Sequence, residues 1–324
     1  MCVLVASVLW GTTGTAATLA PDVGPLAIGA VAMGLGGLLQ ALIAAPQISR
    51  HASRLRDQRG TVLLGAASVA VYPLAFYSSM HLAGVAVGTV VSIGTAPLAS
   101  ALIERTVDGR RLTRRWTAAA TLGLLGTILL CVAEAADGTR QTSVSNTLLG
   151  IVFGLVAAAT YALYSWAAHR LITRHIPSRA AMGAVFGLGG LLLLPVLVAT
   201  GAPLVASWSN AAVGAYMSLV PMFAGYILFG WGLAHVPAST ATTLSLLEPA
   251  VAAVLAVVVV GERLPSAGWL GIALVGACLA VLTTPTPARR RSHQQLRNPA
   301  RAAPGGQRRA RRHRPLERSD SSRR

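Results

Sequence analysis

The sequence predicts an all-α integral membrane protein with ten transmembrane helices in two inverted five-helix repeats. Three observations lead there. Of the 324 residues, 54% are apolar and only 11% are charged, against roughly 25% charged in a soluble domain. The apolar residues gather in ten blocks, about 2–19, 25–48, 62–80, 84–103, 116–132, 148–168, 180–200, 211–233, 238–260 and 267–283. Each block is near the ~20 residues that cross ~30 Å of hydrocarbon at ~1.5 Å per residue. Finally, the chain matches itself. A shift of 152 residues lays Pro97 on Pro249, Ala101 on Ala253, Gly109 on Gly261, Arg111 on Arg263 and Leu112 on Leu264. Upstream the register slips to 153, placing Met80 on Leu233, and then to 151, placing Trp10 on Tyr161. A duplicated bundle of this kind is a common way of building transporters.

The blocks can be justified in order. Block one starts at Met1 without a basic leader and with a long apolar centre, so it reads as a first span and not a cleaved signal. Its middle carries Trp10, Thr12 and Thr13. Block two holds Gly34 and Gly37, and block three is marked by Tyr72, Pro73 and Tyr77. Block four has Thr89, Ala96 and Pro97 and ends at Glu104, while block five opens on Trp116. Block six bears Gly150 and Gly154, then Tyr161, Tyr164 and Trp166; block seven bears Gly183 and Gly187. These four-spaced glycines suit helices that must approach closely in lipid. Block eight ends with Tyr226 and Trp231. On block nine, Ala241, Ser245 and Glu248 are spaced to share one helical face. The three cysteines, Cys2, Cys131 and Cys278, lie in separate blocks without ligand spacing and read as packing residues. Strand-length alternation with turn signals is nearly missing from the sequence, which excludes a membrane barrel.

Basic flanks resist translocation, so arginines set the orientation. Alternate loops sort Arg50, Arg54, Arg56, Arg59, Arg105, Arg110, Arg111, Arg114, Arg115, Arg170, Arg174 and Arg179 to one side. Only Arg140 and Arg263 fall on the other. Both termini are therefore expected in the cytoplasm, with the protein in the plasma membrane. Five spans per copy is an odd number, so the second copy enters from the opposite face. Inversion also explains why the Gly-x-Arg-Leu turn is followed by Arg114 and Arg115 in copy one and by no base in copy two. The expected division is a first repeat at 1–132, a linker at 133–147, a second repeat at 148–284 and a basic tail at 285–324.

The tail explains most of the net charge of +17, because 13 arginines there face only Glu317 and Asp320. Its Arg, Pro, Gly and Ser content predicts disorder and attraction to anionic headgroups of the cytoplasmic leaflet. Without interleaved aromatics it carries no specific nucleic-acid recognition.

Several stretches resemble the EamA-type branch of the drug/metabolite transporter superfamily. They are Leu9-Trp10-Gly11-Thr12, the run from Gly232-Leu233-Ala234-His235 through Ala238 to Leu247-Glu248-Pro249, and the turn Gly261-Glu262-Arg263-Leu264. The resemblance covers about 1–284 and implies ten spans in two five-helix repeats. Copy one departs from it, with Asp108-Gly109-Arg110-Arg111-Leu112 in place of Gly-Glu-Arg-Leu, and the tail has no counterpart.

Glu248 is the one acid placed near the middle of a block. A carboxyl there costs a few kcal/mol unless it is neutralised, hydrated or paired, which makes it a functional candidate. Its copy-one counterpart is Ala96, although the prolines that follow match. Capping of a carbonyl freed by Pro249 is the competing structural role. The candidate cavity and coupling residues are Glu248, Ser245, Ala241, Trp10, Thr12, Thr13, Tyr72, Thr89, Tyr161 and Tyr164, with Tyr77, Trp166, Tyr226 and Trp231 as further aromatics. Pro97, Pro249, Gly261 and Arg263 are expected to shape helix turns. Tyr77, Trp116 and Trp231 fit interface anchors, His81 and His235 fit interfacial positions, and Glu104 fits a surface ion pair with Arg105 or Arg111.

No nucleotide loop, metal cluster or nucleophile–base pair stands out, and Gly11–Gly14 and Gly34–Gly37 do not follow strands. The expectation is a non-enzyme without cofactor, a secondary transporter that moves a small metabolite or drug-like solute outward by alternating access, coupled to protons or exchange. A membrane scaffold acting through its tail and a lipid-carrier translocator are the alternatives.

Overall fold

The computed structural model describes residues 1–137, 143–260 and 265–284. All ten apolar blocks are helical: α1 (Cys2–Ala17), α2 (Pro25–Arg50), α3 (Arg59–Ala83), α4 (Val87–Val107), α5 (Arg114–Ala133), α6 (Val144–Thr173), α7 (Ser178–Thr200), α8 (Trp208–Leu233), α9 (Ala238–Val259) and α10 (Ser266–Thr283). Among the described residues nine of these, α2 to α10, are long and apolar enough to cross a membrane. The first is shorter and is interrupted at Thr12. The chain is thus an all-α, multi-span membrane protein. Gly261 and Arg263 of the second turn, and the tail 285–324, lie outside the described residues.

Several helices are locally broken, and three of them break beside a proline. Pro249 has no N–H to give the Ser245 carbonyl four residues back. That carbonyl accepts instead from the Glu248 N–H at 2.9 Å, and α9 divides at Ser245–Leu246. In α4 a wider π-type turn covers Val90–Gly94, just before Pro97, and in α8 one covers Ser218–Ala224 around Pro221. Turns of this sort leave main-chain groups open to side-chain partners and recur at functional sites. Between α4 and α5, Gly109 has φ +65°, left-handed backbone that a side chain would strain.

The helix pairings repeat with a five-helix offset. The α2–α7, α4–α9 and α5–α10 contacts map onto themselves under that offset. Meanwhile α3–α6 answers α8–α1, α4–α6 answers α9–α1, and α3–α7 answers α8–α2. The packing therefore points to an internal repeat, as the sequence does.

Lipid tails are as apolar as leucine, so these helices are held by close contact and internal hydrogen bonds. At the α2–α7 crossing, Gly34 and Gly37 face Gly187 and Gly190. A Cβ on Gly190 would stand 2.6 Å from the Gly34 carbonyl oxygen. The α5–α10 crossing uses Gly126 and Gly271 in the same way, where a Cβ on Gly126 would lie 2.8 Å from the Gly271 carbonyl oxygen. Some buried hydroxyls find carbonyls: Ser7 donates to Val3 at 2.8 Å, and Ser79 crosses to Gly150 at 2.7 Å. Large apolar side chains such as Leu42, Val152, Leu191 and Val198 are exposed on the outside. On a soluble protein these would be an aggregation hazard; here they form the surface that meets lipid.

Candidate functional site

Side chains from six helices converge on an internal cavity. Trp10 and Thr13 come from α1, Gly29, Ala32 and Met33 from α2, and Tyr72, Pro73, Phe76 and Tyr77 from α3. Tyr161 comes from α6, Met222 and Tyr226 from α8, and Glu248 from α9. There is about 20 Å³ of room for the centre of a water molecule, a little above the ~10–15 Å³ that one water needs. A metabolite does not fit without the helices parting.

The walls are aromatic and tightly packed. Trp10 stacks at a tilt on Tyr226, with ring centroids 4.8 Å apart, and on Phe229 at 5.3 Å. Its indole N–H donates to the Pro221 carbonyl at 2.9 Å, tying α1 to the broken turn of α8. Tyr72 meets Tyr161 at 5.5 Å, and Tyr161 stacks on Tyr164 at 5.2 Å. The Tyr161 hydroxyl donates to Ser245 Oγ at 2.8 Å, and Ser245 donates on to the Thr242 carbonyl at 2.8 Å. Tyr164 and Tyr226 share a hydroxyl–hydroxyl bond of 2.7 Å. Trp10, Tyr161, Tyr164 and Tyr226 are therefore fixed in orientation by their own polar tips.

Against that background one group stands out. The Glu248 carboxylate opens on the cavity and makes no side-chain hydrogen bond or ion pair with any described residue. It is the one charged lining residue, and the hydroxyls of Tyr72 and Tyr77 are likewise without a described hydrogen-bond partner. The carboxyl does not cap a carbonyl freed by Pro249, since the Glu248 main-chain N–H does that at Ser245.

Five of the ten sequence candidates line the cavity together: Glu248, Trp10, Thr13, Tyr72 and Tyr161. Tyr164 and Ser245 stand one layer behind, holding Tyr226 and Tyr161. Ala241 is buried but does not reach the cavity, because the division of α9 at Ser245–Leu246 breaks the helical phase it was expected to share with Glu248. Thr12 turns instead to Tyr216, with a 2.7 Å hydroxyl bond. Thr89 donates to the Met80 sulfur, also away from the cavity. Trp166 is diverted too: it donates to Asp108 at 2.7 Å, beside an Arg170–Asp108 ion pair of 2.8 Å. Tyr77, expected as an interface anchor, lines the cavity. Gly29, Ala32, Met33, Phe76 and Met222 escaped the sequence reading because nothing distinguishes an apolar cavity residue from an apolar packing residue before the helices are assembled.

A second correction concerns the end of the bundle where α4 finishes and α9 begins. Glu104 is not a surface ion pair. It is 1% exposed and accepts from both the main-chain N–H of Ser239 (3.0 Å) and its hydroxyl (2.7 Å). Arg110 reaches it only at 4.0 Å, so the carboxylate caps the first turn of α9. Trp116 is buried as well, and its indole donates to the Ser239 carbonyl at 3.3 Å. Nearby, Thr242 donates to Ser100 at 3.2 Å and Arg115 to the Val281 carbonyl at 2.6 Å. Each of these bonds joins residues before position 132 to residues after position 148. His81 and His235 are exposed, and His235 bonds only to the Trp231 carbonyl, away from Glu248. Trp231 itself is half-exposed. No group of three or more metal-ligating side chains occurs among the described residues.

Comparison with known proteins agrees with this architecture. The model of the EamA-like transporter family matches residues 1–132 and again 148–284. The transporter YwfM of Bacillus subtilis is 35% identical over 282 residues, covering 87% of this chain and 92% of that one. The threonine/homoserine exporter RhtA of Escherichia coli is 26% identical over 275 residues, covering 85% of this chain and 87% of RhtA. A solved crystal structure superposes with a TM-score of 0.69 at 22% identity, covering 87% of this chain and 95% of the other, which speaks for the fold alone. The two family matches account for nearly all of the helical chain, and with the full-length similarity to YwfM they identify it as a member of the EamA-like transporter family, a secondary membrane transporter of small solutes.

Proposed function

We propose that the protein is a ten-span transporter of two inverted five-helix repeats, 1–132 and 148–284, that moves a small polar or amphipathic solute outward by alternating access. Glu248 is the group that meets the solute or exchanges its proton. The observation that carries this reading is the unpartnered carboxylate opening on a narrow cavity at the meeting of six helices. In a low-dielectric interior such a group is costly unless a ligand, proton or water answers it, so its retention there fits a functional role. The outward direction is supported by the exporter RhtA. The arginine asymmetry supports cytoplasmic termini in the plasma membrane, with the tail 285–324 drawn to anionic headgroups.

Alternating access needs two ends that open in turn. Contacts around Glu104 and Ser239 hold one end shut in this conformation, and the broken helices at Pro97, Pro221 and Pro249 supply places where the halves can bend. The test is flux in proteoliposomes for a solute found by comparing metabolites of cells with and without the protein. Glu248→Gln is expected to abolish transport or remove its pH dependence. Unchanged rate and unchanged pH dependence in that variant would exclude Glu248 from the mechanism.

A further inference from the structure

We infer that the cavity selects cationic amphipathic solutes, meaning an ammonium group attached to an apolar body, in preference to amino acids, neutral analogues or anions. The inference rests on the reading of this cavity as the transport site and adds the chemistry of what it takes.

The lining supplies every element for a cation and lacks the element a free carboxylate would need. Six aromatic rings, Trp10, Tyr72, Phe76, Tyr77, Tyr161 and Tyr226, surround a single carboxylate, Glu248. The faces of such rings carry negative potential and attract ammonium groups, most strongly when water is excluded. The Tyr72 and Tyr77 hydroxyls, without described hydrogen-bond partners, can accept from the N–H groups of a primary amine. No arginine, lysine or histidine lines the cavity. Glu248 alone therefore leaves a site whose charge is completed by one positive group. A zwitterion would bring a second carboxylate into the same aromatic enclosure with no cation to receive it, and an anion would stand against Glu248 itself. Met33 and Met222 give the remaining wall a soft, adaptable apolar surface suited to bodies of varied shape.

The experiment keeps the apolar body constant and changes only the charge. Binding of 2-phenylethylamine, 2-phenylethanol, phenylalanine and 3-phenylpropionate to the full-length protein is measured by calorimetry, with counterflow of the same four in proteoliposomes. The amine is expected to bind roughly tenfold or more tightly than each of the other three. Glu248→Gln is expected to reduce that preference to about twofold or less, and Glu248→Asp to keep part of it. The ranking among the four ligands on the unaltered protein needs no variant, so it decides the matter even if Glu248→Gln fails to fold. Equal affinities, a preference for phenylalanine, or no binding of the amine overturns the inference. Glu248-dependent counterflow of phenylalanine without amine binding would overturn the solute class while leaving the transport site in place. Amine binding that survives Glu248→Gln undiminished would remove both.

Discussion

Replacing Glu104 by Gln is expected to open the end of the bundle that its carboxylate closes. The residue is 1% exposed and holds Ser239 through two bonds, 3.0 Å to the N–H and 2.7 Å to the hydroxyl. A bond to a charged acceptor contributes about 1.5–3 kcal/mol and a neutral one about 0.5–1.5 kcal/mol. Glutamine keeps the shape and removes the charge, so the loss is about 1–1.5 kcal/mol per bond, or ~2–3 kcal/mol in all. The Arg110 contact, at 4.0 Å with the arginine half-exposed, adds little after solvent screening. At about 1.4 kcal/mol per factor of ten, the open population should rise roughly 30- to 150-fold, provided the bonds exist only in the closed form. Ser100 is fully buried and accepts from Thr242 behind the same contact. In a background with Cys2, Cys131 and Cys278 replaced, the labelling rate of Ser100→Cys by a membrane-impermeant maleimide reports that population. The rate should rise by that factor in Glu104→Gln and stay near its starting value in Arg110→Ala. A Glu104→Gln rate within about twofold of the parent would refute the idea that these bonds hold the end shut.

Three further outcomes follow from the packing. Gly190→Leu should push α7 from α2, because even a Cβ there would lie 2.6 Å from the Gly34 carbonyl oxygen; the expected cost is ~1–3 kcal/mol or more, read as a lower unfolding temperature in detergent. Trp10→Phe keeps a ring against Tyr226 but removes the donor to Pro221, and should cost about 1–3 kcal/mol in the same assay, against ~3–5 kcal/mol for Trp10→Ala. Asp108→Asn weakens an ion pair whose partners are each about one-third exposed and the bond from the Trp166 indole, so stability should fall by about 1–2 kcal/mol, with transport unchanged.

The alternation of apolar blocks and arginine-bearing loops determined the class of this protein, because hydrocarbon imposes helix length and satisfied backbones on any chain that crosses it. Self-matching across a shift of about 150 residues exposed the duplication, and a mid-block acid beside a proline marked Glu248. Those are properties of one segment or of two compared in line. What sequence could not supply was which faces meet. Ala241, Ser245 and Glu248 have regular helical spacing, yet Pro249 divides α9 between them and leaves only Glu248 on the cavity. Glu104 is followed in the chain by Arg105, Arg110 and Arg111, but its actual partner is Ser239, 135 residues away. Trp166 resembled a cavity aromatic until Asp108 claimed its indole. In lipid, no hydrophobic force distinguishes one apolar helix face from another. Steric approach at glycines and the satisfaction of a few polar groups decide the assembly, and both depend on residues that are distant in sequence.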